Sequence, residues 1–285
     1  MEIPRALGEQ WSREAGWLAD LPRLAAECAE RWGLELERPV ETPHSLVVPA
    51  GDAVLKLNAP SHFETDHEAD ALELWAGNGA VRLVARDDER RALLIERCRP
   101  GTCLWDTDAD APDIVGDLLP RLSLELDEPH CFRRLADEAA RWSEEIPRRY
   151  ELGGAPFERS LLDYAVDVLR APDPTAAFLV NQDLHGGNVL RAERETWLVI
   201  DPKPLVGERE LNAVGLLRNA AWEDPREIRR WLAMLVELGL DEERLRGWGV
   251  AHALAWGWDE RDGWSEDSID AARAIRRASP SRGRW

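Results

Sequence analysis

Five residues in this chain have the types and spacing that phosphoryl transfer needs. Asp183 and Asn188 stand five apart in the loop "NQDLHGGNVL", and Asp201 follows thirteen residues after Asn188, at the end of the apolar run "WLVI". A carboxylate can accept the proton of an attacking hydroxyl. An amide oxygen and a second carboxylate can hold Mg²⁺, which bridges the phosphates. Upstream, "AVLKLN" alternates so that Val54 and Lys56 share one strand face while Leu55 and Leu57 share the other. Glu68 precedes Ala71 and Leu72 by three and four residues, so it shares their buried helical stripe with Trp75. A carboxylate on a buried face needs a partner, and Lys56 is the natural cation. His67 and Glu64 are alternative inward-facing residues of that helix.

Each residue alone has a plainer reading. Asp183 could cap a turn, Asn188 could be a left-handed turn residue, and Asp201-Pro202 could be a strand end. His185 reads as a structural hydrogen-bonder rather than a base. Gly186-Gly187 is expected to let the loop turn tightly enough to bring Asn188 back beside Asp183. The order of all five residues along the chain is what points to one chemistry. A metal phosphoesterase built on Asp183, His185 and Asp201 would need more ligands than this segment offers.

The elements that must position these residues can be read from periodicity. A helix is expected over residues 12–33, with Ala15, Leu18, Leu21, Ala25 and Cys28 on one stripe. "SLVV" and "AVLKLN" flank "PAGD" as a hairpin, "HFETDHEADALELWAGNG" reads as a helix closed by glycines, and "VRLVA" and "ALLIERC" are two more strands. "RPGT" breaks the pattern. After it helices dominate, at 226–239, at 243–258, and around Leu135–Ile146 and Leu161–Leu169, with strands only near 178–181, 188–191 and 196–200.

Composition bounds the partners. With 285 residues, 44% of them hydrophobic, the chain can bury a substantial core. Thirty-six basic against 55 acidic residues leave a net charge of −19, a field that disfavours nucleic acid and anionic membrane and tolerates cations. Lys56 and Lys203 are the only lysines in this arginine-rich chain, which suggests places where a compact ammonium is needed. Cys28, Cys98, Cys103 and Cys131 form no C-x-x-C pair, so zinc and a disulfide framework are not expected and a cytoplasmic protein is. No signal peptide and no apolar run of membrane-spanning length is visible.

On these motifs the chain resembles the aminoglycoside phosphotransferase family, whose fold is two-lobed and protein-kinase-like. "VNQDLHGGNVLRAERETWLVIDPKPLVGERE", "EADALELWAGNGAVRLVA", "LLIERCRPGT" and "AHALAWGWDERDGW" look most like the branch of streptomycin 6-phosphotransferases and hydroxyurea-resistance kinases, over residues 40–265. The resemblance implies an α+β fold. Residues 1–97 would be a small nucleotide-binding lobe of antiparallel sheet plus one helix, behind the leading helix. Residues 98–103 would be a hinge, and 104–285 a larger helical lobe with the catalytic loop, metal motif and acceptor site.

It further implies Asp183 as catalytic base and Asn188 and Asp201 on Mg²⁺. Lys56, Glu68, Ser45, Glu96 and Cys98 would serve the nucleotide, ATP with GTP left open. The expected activity is ATP-dependent O-phosphorylation of a small cationic aminoglycoside, streptomycin first, as an antibiotic resistance. Hydroxyurea, a sugar or another hydroxylated metabolite is the alternative acceptor; a non-catalytic nucleotide-binding protein is a further reading. There are departures. No G-x-G-x-x-G exists, so the phosphate loop falls on Thr42–Ser45. Asn181-Gln182-Asp183 stands where many relatives have His-Gly-Asp, and Asn212 aligns with an Asp, which questions a hydrogen bond bracing the site. Late in the chain, Trp256, Trp258, Asp259 and Asp262 are expected to bind the acceptor. Guanidinium groups pair with carboxylates and stack on indoles, and two aspartates three apart on a helical turn would face one ligand.

Overall fold

The computed structural model describes residues 1–219 and 225–278. The chain divides into two compact units, Met1–Cys103 with Leu190–Asp201, and Leu104–Val189 with Pro202–Trp285. Residues 220–224 and 279–285 of the second lie outside the description.

The first unit opens with α1 (Arg5–Gln10) and α2 (Ala15–Trp32), then β1 (Ser45–Ala50), β2 (Ala53–Asn58), α3 (Glu68–Trp75), β3 (Leu83–Asp87) and β4 (Ala92–Glu96). The sheet runs β1-β2-β4-β3 and every pairing is antiparallel. Gly51 closes the β1–β2 hairpin at φ 62°, where a two-residue turn demands a positive φ. Leu21, Ala25 and Cys28 of α2 pack against Leu46, Val48, Leu55 and Leu57 to form the core on one face of the sheet. Strand alternation therefore sends Lys56 and Asn58 to the other face. β2 is an inner strand, with Lys56 opposite Val47 on one side and Leu93 on the other. The helix expected over residues 62–79 is shorter. Phe63–Thr65 is a 3₁₀ turn, and Ala76 ends α3 in the left-handed conformation.

The second unit begins with α4 (Ala111–Leu122), β5 (Leu124–Glu125), α5 (Leu135–Leu152), α6 (Arg159–Leu169) and β6 (Phe178–Asn181). The hairpin of β7 (Val189–Arg191) and β8 (Trp197–Val199) follows in the chain and, from Leu190 on, belongs to the first unit. The chain continues through β9 (Pro204–Gly207), α7 (Val214–Asn219), α8 (Pro225–Glu237), α9 (Glu242–Ala255), β10 (Trp258–Asp259), β11 (Gly263–Trp264) and α10 (Glu266–Arg277). β6 is central in a small antiparallel sheet of order β5-β6-β9. From Gly247 to Ala255 every residue of α9 is buried, as in a helix surrounded by its neighbours rather than lying on a surface. The helix expected to reach residue 258 stops at Ala255, and residue 257 is a glycine because a side chain there would meet Ser268 and the Ala253 carbonyl. Beyond it the expected helical turn is a β10–β11 hairpin. Among the described residues, no helix is long and apolar enough to cross a membrane.

Candidate active site

In the first unit the chemistry gathers around Lys56. Lys56 is 5% exposed, and its ammonium donates to both carboxylate oxygens of Glu68 at 2.6 and 2.7 Å and to Asp201 Oδ1 at 2.5 Å. Three N–H groups thus meet three carboxylate oxygens. Glu68 is fully buried and takes a further bond from Asn58 Nδ2 at 3.0 Å. Ser45 Oγ donates to Asn58 Oδ1 at 2.6 Å, so its proton is spent inside this network. His67 turns to Asp70 instead, at 2.9 Å, and Glu64 to His62, at 3.6 Å.

Asp201 reaches this cluster because its segment is sewn to the sheet. Val199 exchanges backbone bonds with Gly79 and Val81, and Arg194 holds Glu96 at 2.8 Å together with the Gly77 and Ala80 carbonyls. Asp201 itself has φ 50°, a left-handed conformation that Asp tolerates better than most residues. Glu96 is occupied by Arg194 and by the Arg82 backbone N–H. Burial, with Glu96 adding to it, pushes the Cys98 thiol up to about 11, so it stays protonated.

In the second unit the loop after β6 is fixed from below. Asn181 Oδ1 accepts from the backbone N–H groups of Asp183 (3.1 Å) and Lys203 (2.9 Å). Asn212 Oδ1 accepts from the Asn181 N–H at 2.7 Å while its amide nitrogen donates to Ser123 Oγ. The loop then folds on itself. Asn188 Nδ2 donates to the Asp183 carbonyl at 3.1 Å, which spends the donor end of this amide inside the loop. His185 Nδ1 accepts from the Gly187 N–H, which sets the neutral ring's proton on Nε2, 3.6 Å from Asp183 Oδ1. Arg218 approaches the same oxygen at 3.5 Å, and its guanidinium lies over Trp256, 4.9 Å from the ring centroid.

The two glycines have a different reason from the one the loop length suggests. Neither has a positive φ. Trp105 stacks on His185 with centroids 4.6 Å apart and planes within 7°, and a Cβ on Gly186 would fall onto the indole while one on Gly187 would come within 2.8 Å of it. They are glycines because an aromatic ring lies on them.

Trp256, Trp258, Asp259 and Asp262 do not form one face. Trp256 sits under Arg218, and Trp258 meets Trp264 edge-on at 5.5 Å. Asp259 accepts from the N–H groups of Arg261 and Asp262 and so caps its own hairpin turn.

Comparison with known proteins shows the family. Residues 31–263 match the model of the family described as aminoglycoside/hydroxyurea antibiotic resistance kinase. The chain belongs to that family. It is 35% identical to a streptomycin 6-kinase of Streptomyces glaucescens, with 97% of both chains covered, and 34% identical to a hydroxyurea phosphotransferase of Kitasatospora aureofaciens, with 92% of this chain and 82% of that one covered. Among solved structures it resembles a choline kinase of Streptococcus pneumoniae (TM-score 0.63, 12% identity, 90% of this chain and 98% of that one). A thermostable mutant of the aminoglycoside phosphotransferase APH(4)-Ia in complex with AMP-PNP and hygromycin B is also similar (TM-score 0.57, 14% identity, 90% and 98% covered). The fold is the protein-kinase-like α+β fold.

Within this kinase, the departure at Asn212 costs no bracing bond, since its amide oxygen accepts from the Asn181 N–H as a carboxylate oxygen could, and Asn181 in turn braces the Asp183 N–H. Three contributors escaped the reading of the sequence. Asn58 was signalled by alternation, two residues after Lys56 on the same face. Arg218 and Trp105 gave no local signal; they lie 35 residues after Asp183 and 78 before it.

Proposed function

We propose that this chain is a Mg²⁺-dependent O-phosphotransferase that moves the γ-phosphoryl group of ATP to a hydroxyl of a small cationic acceptor, streptomycin first. Asp183 carries the reading: it heads a loop fixed through Asn181 and Asn188, with His185 and Arg218 near its Oδ1 at 3.6 and 3.5 Å. In the reaction the acceptor oxygen bonds to the γ-phosphorus, the bond to the β–γ bridging oxygen breaks, and the hydroxyl proton passes to Asp183. Lys56, aimed by Glu68, holds the nucleotide phosphates. Asn188 and Asp201 offer the oxygen donors that Mg²⁺ prefers. When bound, Mg²⁺ would neutralise developing phosphate charge. Glu96 and Cys98 flank the nucleotide through their backbone, since the side chains are occupied or protonated. The exposed Asp259 and Asp262 add to the acidic field that draws cations.

Nearly equal identity to the hydroxyurea phosphotransferase supports hydroxyurea as a second acceptor. ADP release, measured with streptomycin, with hydroxyurea and with neither, tests both. Turnover that needs streptomycin supports the first reading and turnover that needs hydroxyurea the second. Release that is the same with and without acceptor would sink transfer altogether.

A further inference from the structure

A cavity of about 230 Å³ lies in the second unit against the catalytic loop, with Trp105, Gly186, Asn219, Glu227 and Trp231 in its walls. Its floor is Gly186, three residues from Asp183. Trp105 forms one wall and is 54% exposed although its ring is held on His185. An indole with one face stacked and much of its remaining surface in water is a platform more than a core residue. Glu227 and Trp231 are four apart on α8, so they project from one side of that helix. Arg230, on the same helix, is paired with Asp110 and feels Glu227 as a second, longer-range charge; among the described residues no ion pair within 4 Å engages Glu227.

We infer that this cavity holds a cationic group of the acceptor, a guanidinium or ammonium set against the Trp105 indole and paired with Glu227. The inference rests on the phosphotransferase reading above and names the acceptor subsite of that same site. Aromatic faces attract cations, a carboxylate supplies the charge, and Asn219 offers a further amide for a hydroxyl or N–H. The volume is below that of pockets which enclose whole drug-sized ligands, so it takes one charged ring or arm while the rest of the molecule stays outside. The tryptophan-rich hairpin is less suited. Trp256 is already covered by the Arg218 cation, and Asp259 is committed to its turn. The Trp105–His185 stack also couples the platform to the loop that carries Asp183, so a group seated there is tied to the reacting centre.

The test compares the whole chain with Glu227→Gln, and with Glu237→Gln as a control that removes the same charge from the same helix outside the cavity. Calorimetric titration of streptomycin should show Kd at least tenfold weaker in Glu227→Gln and unchanged in Glu237→Gln, with the loss shrinking in high salt because the charges are partly solvated. Steady-state kinetics should place the effect in the streptomycin KM. Trp105→Leu should weaken streptomycin binding and also lower kcat, and Trp105→Phe, which keeps a ring, should recover most of both. Equal affinity in Glu227→Gln and the parent overturns the inference, as does a parent that binds no streptomycin while phosphorylating a neutral acceptor. A parent that binds streptomycin through Glu227 but transfers phosphate to nothing keeps the cation site and sinks the transferase reading instead.

Discussion

Lys56 and Asp183 are the charged groups on which the proposed chemistry turns, and the two units hold them in opposite ways. Lys56 is almost fully buried, and its three N–H donors end on three carboxylate oxygens within 2.7 Å. Asp183 Oδ1 has Arg218 at 3.5 Å and His185 at 3.6 Å, longer contacts than those of Lys56. A group that must keep its charge is saturated with partners. The group proposed to take the proton is positioned through its backbone, whose N–H meets Asn181 Oδ1 and whose carbonyl accepts from Asn188. Within the Lys56 cluster the contacts also differ. Glu68 is sealed, while Asp201 retains 28% side-chain exposure and is the partner that can yield to phosphate and metal.

The most severe way to break this contrast is Asp183→Ala. It removes the proposed base and leaves the Lys56 cluster untouched, so kcat should fall by roughly 10²–10⁴ while nucleotide affinity is nearly kept. Measuring kcat and nucleotide Kd on one preparation decides it, and a retained kcat would take Asp183 out of the mechanism. Glu68→Ala attacks the other side. It leaves a buried ammonium with Asp201 alone, so the chain should lose about 3–5 kcal/mol of stability. Urea unfolding with an unchanged m-value would report this as a lower midpoint; a loss below about 1 kcal/mol would show that the pair is not what holds Lys56. Lys56→Arg should fail to restore turnover, because a planar fork cannot meet the three oxygens that a compact ammonium meets.

The contrast also marks what could be read from the sequence. The Lys56–Glu68 contact was legible because a strand with period 2 and a helix with period 3.6 each assign a face, and only one cation and a few carboxylates fell on the facing sides. The loop "NQDLHGGNVL" was legible as a presenter of Asp183 and Asn188. Its glycines were misread, because their cause is Trp105, and stacking between residues 80 apart leaves no periodic trace. α4 was missed because Pro112, Gly116 and Pro120 mask an apolar stripe of Val115, Leu118, Leu119 and Leu122. β9 was missed because Pro202 and Pro204 bracket Lys203 and look like a loop, although Pro204 sits at the first position of the strand, where a missing N–H is tolerated. α10 follows a run of aspartates, glycine and tryptophans and declares itself mainly through its cap, where Ser265 accepts from the Ser268 N–H.

Asp201→Asn sharpens the distinction inside the Lys56 cluster. Asn tolerates φ near 50° as well as Asp, so the backbone should be kept while the charge is lost. Mg²⁺-dependent nucleotide binding should weaken roughly ten- to hundredfold, about 1.4–2.8 kcal/mol, while Lys56 stays paired with Glu68. A titration in which Mg²⁺·ATP binds the variant as tightly as the parent would remove Asp201 from the metal site.

The smallest effect concerns a third way of holding a titratable group. His252 is fully buried beneath Trp256 and beside Trp142, in the same stack that carries Arg218. Burial first, and the Arg218 charge second, drive its pKa well below the ordinary histidine value, so it stays neutral. The unfolded chain protonates this histidine below about pH 6.5, and the folded chain does not until the pH is far lower. Between those points the unfolded state binds more protons, so stability is lost as pH falls below the unfolded value and is flat above it. His252→Leu removes the difference. Relative to the variant, the parent should therefore lose up to about 1.4 kcal/mol for each pH unit below 6.5. Urea unfolding of both chains at pH 7.5 and pH 5.5 measures it. A parent–variant gap that is the same at both values would mean that His252 takes its proton equally in both states, and that the Trp256–Arg218 stack rests on a charged ring after all.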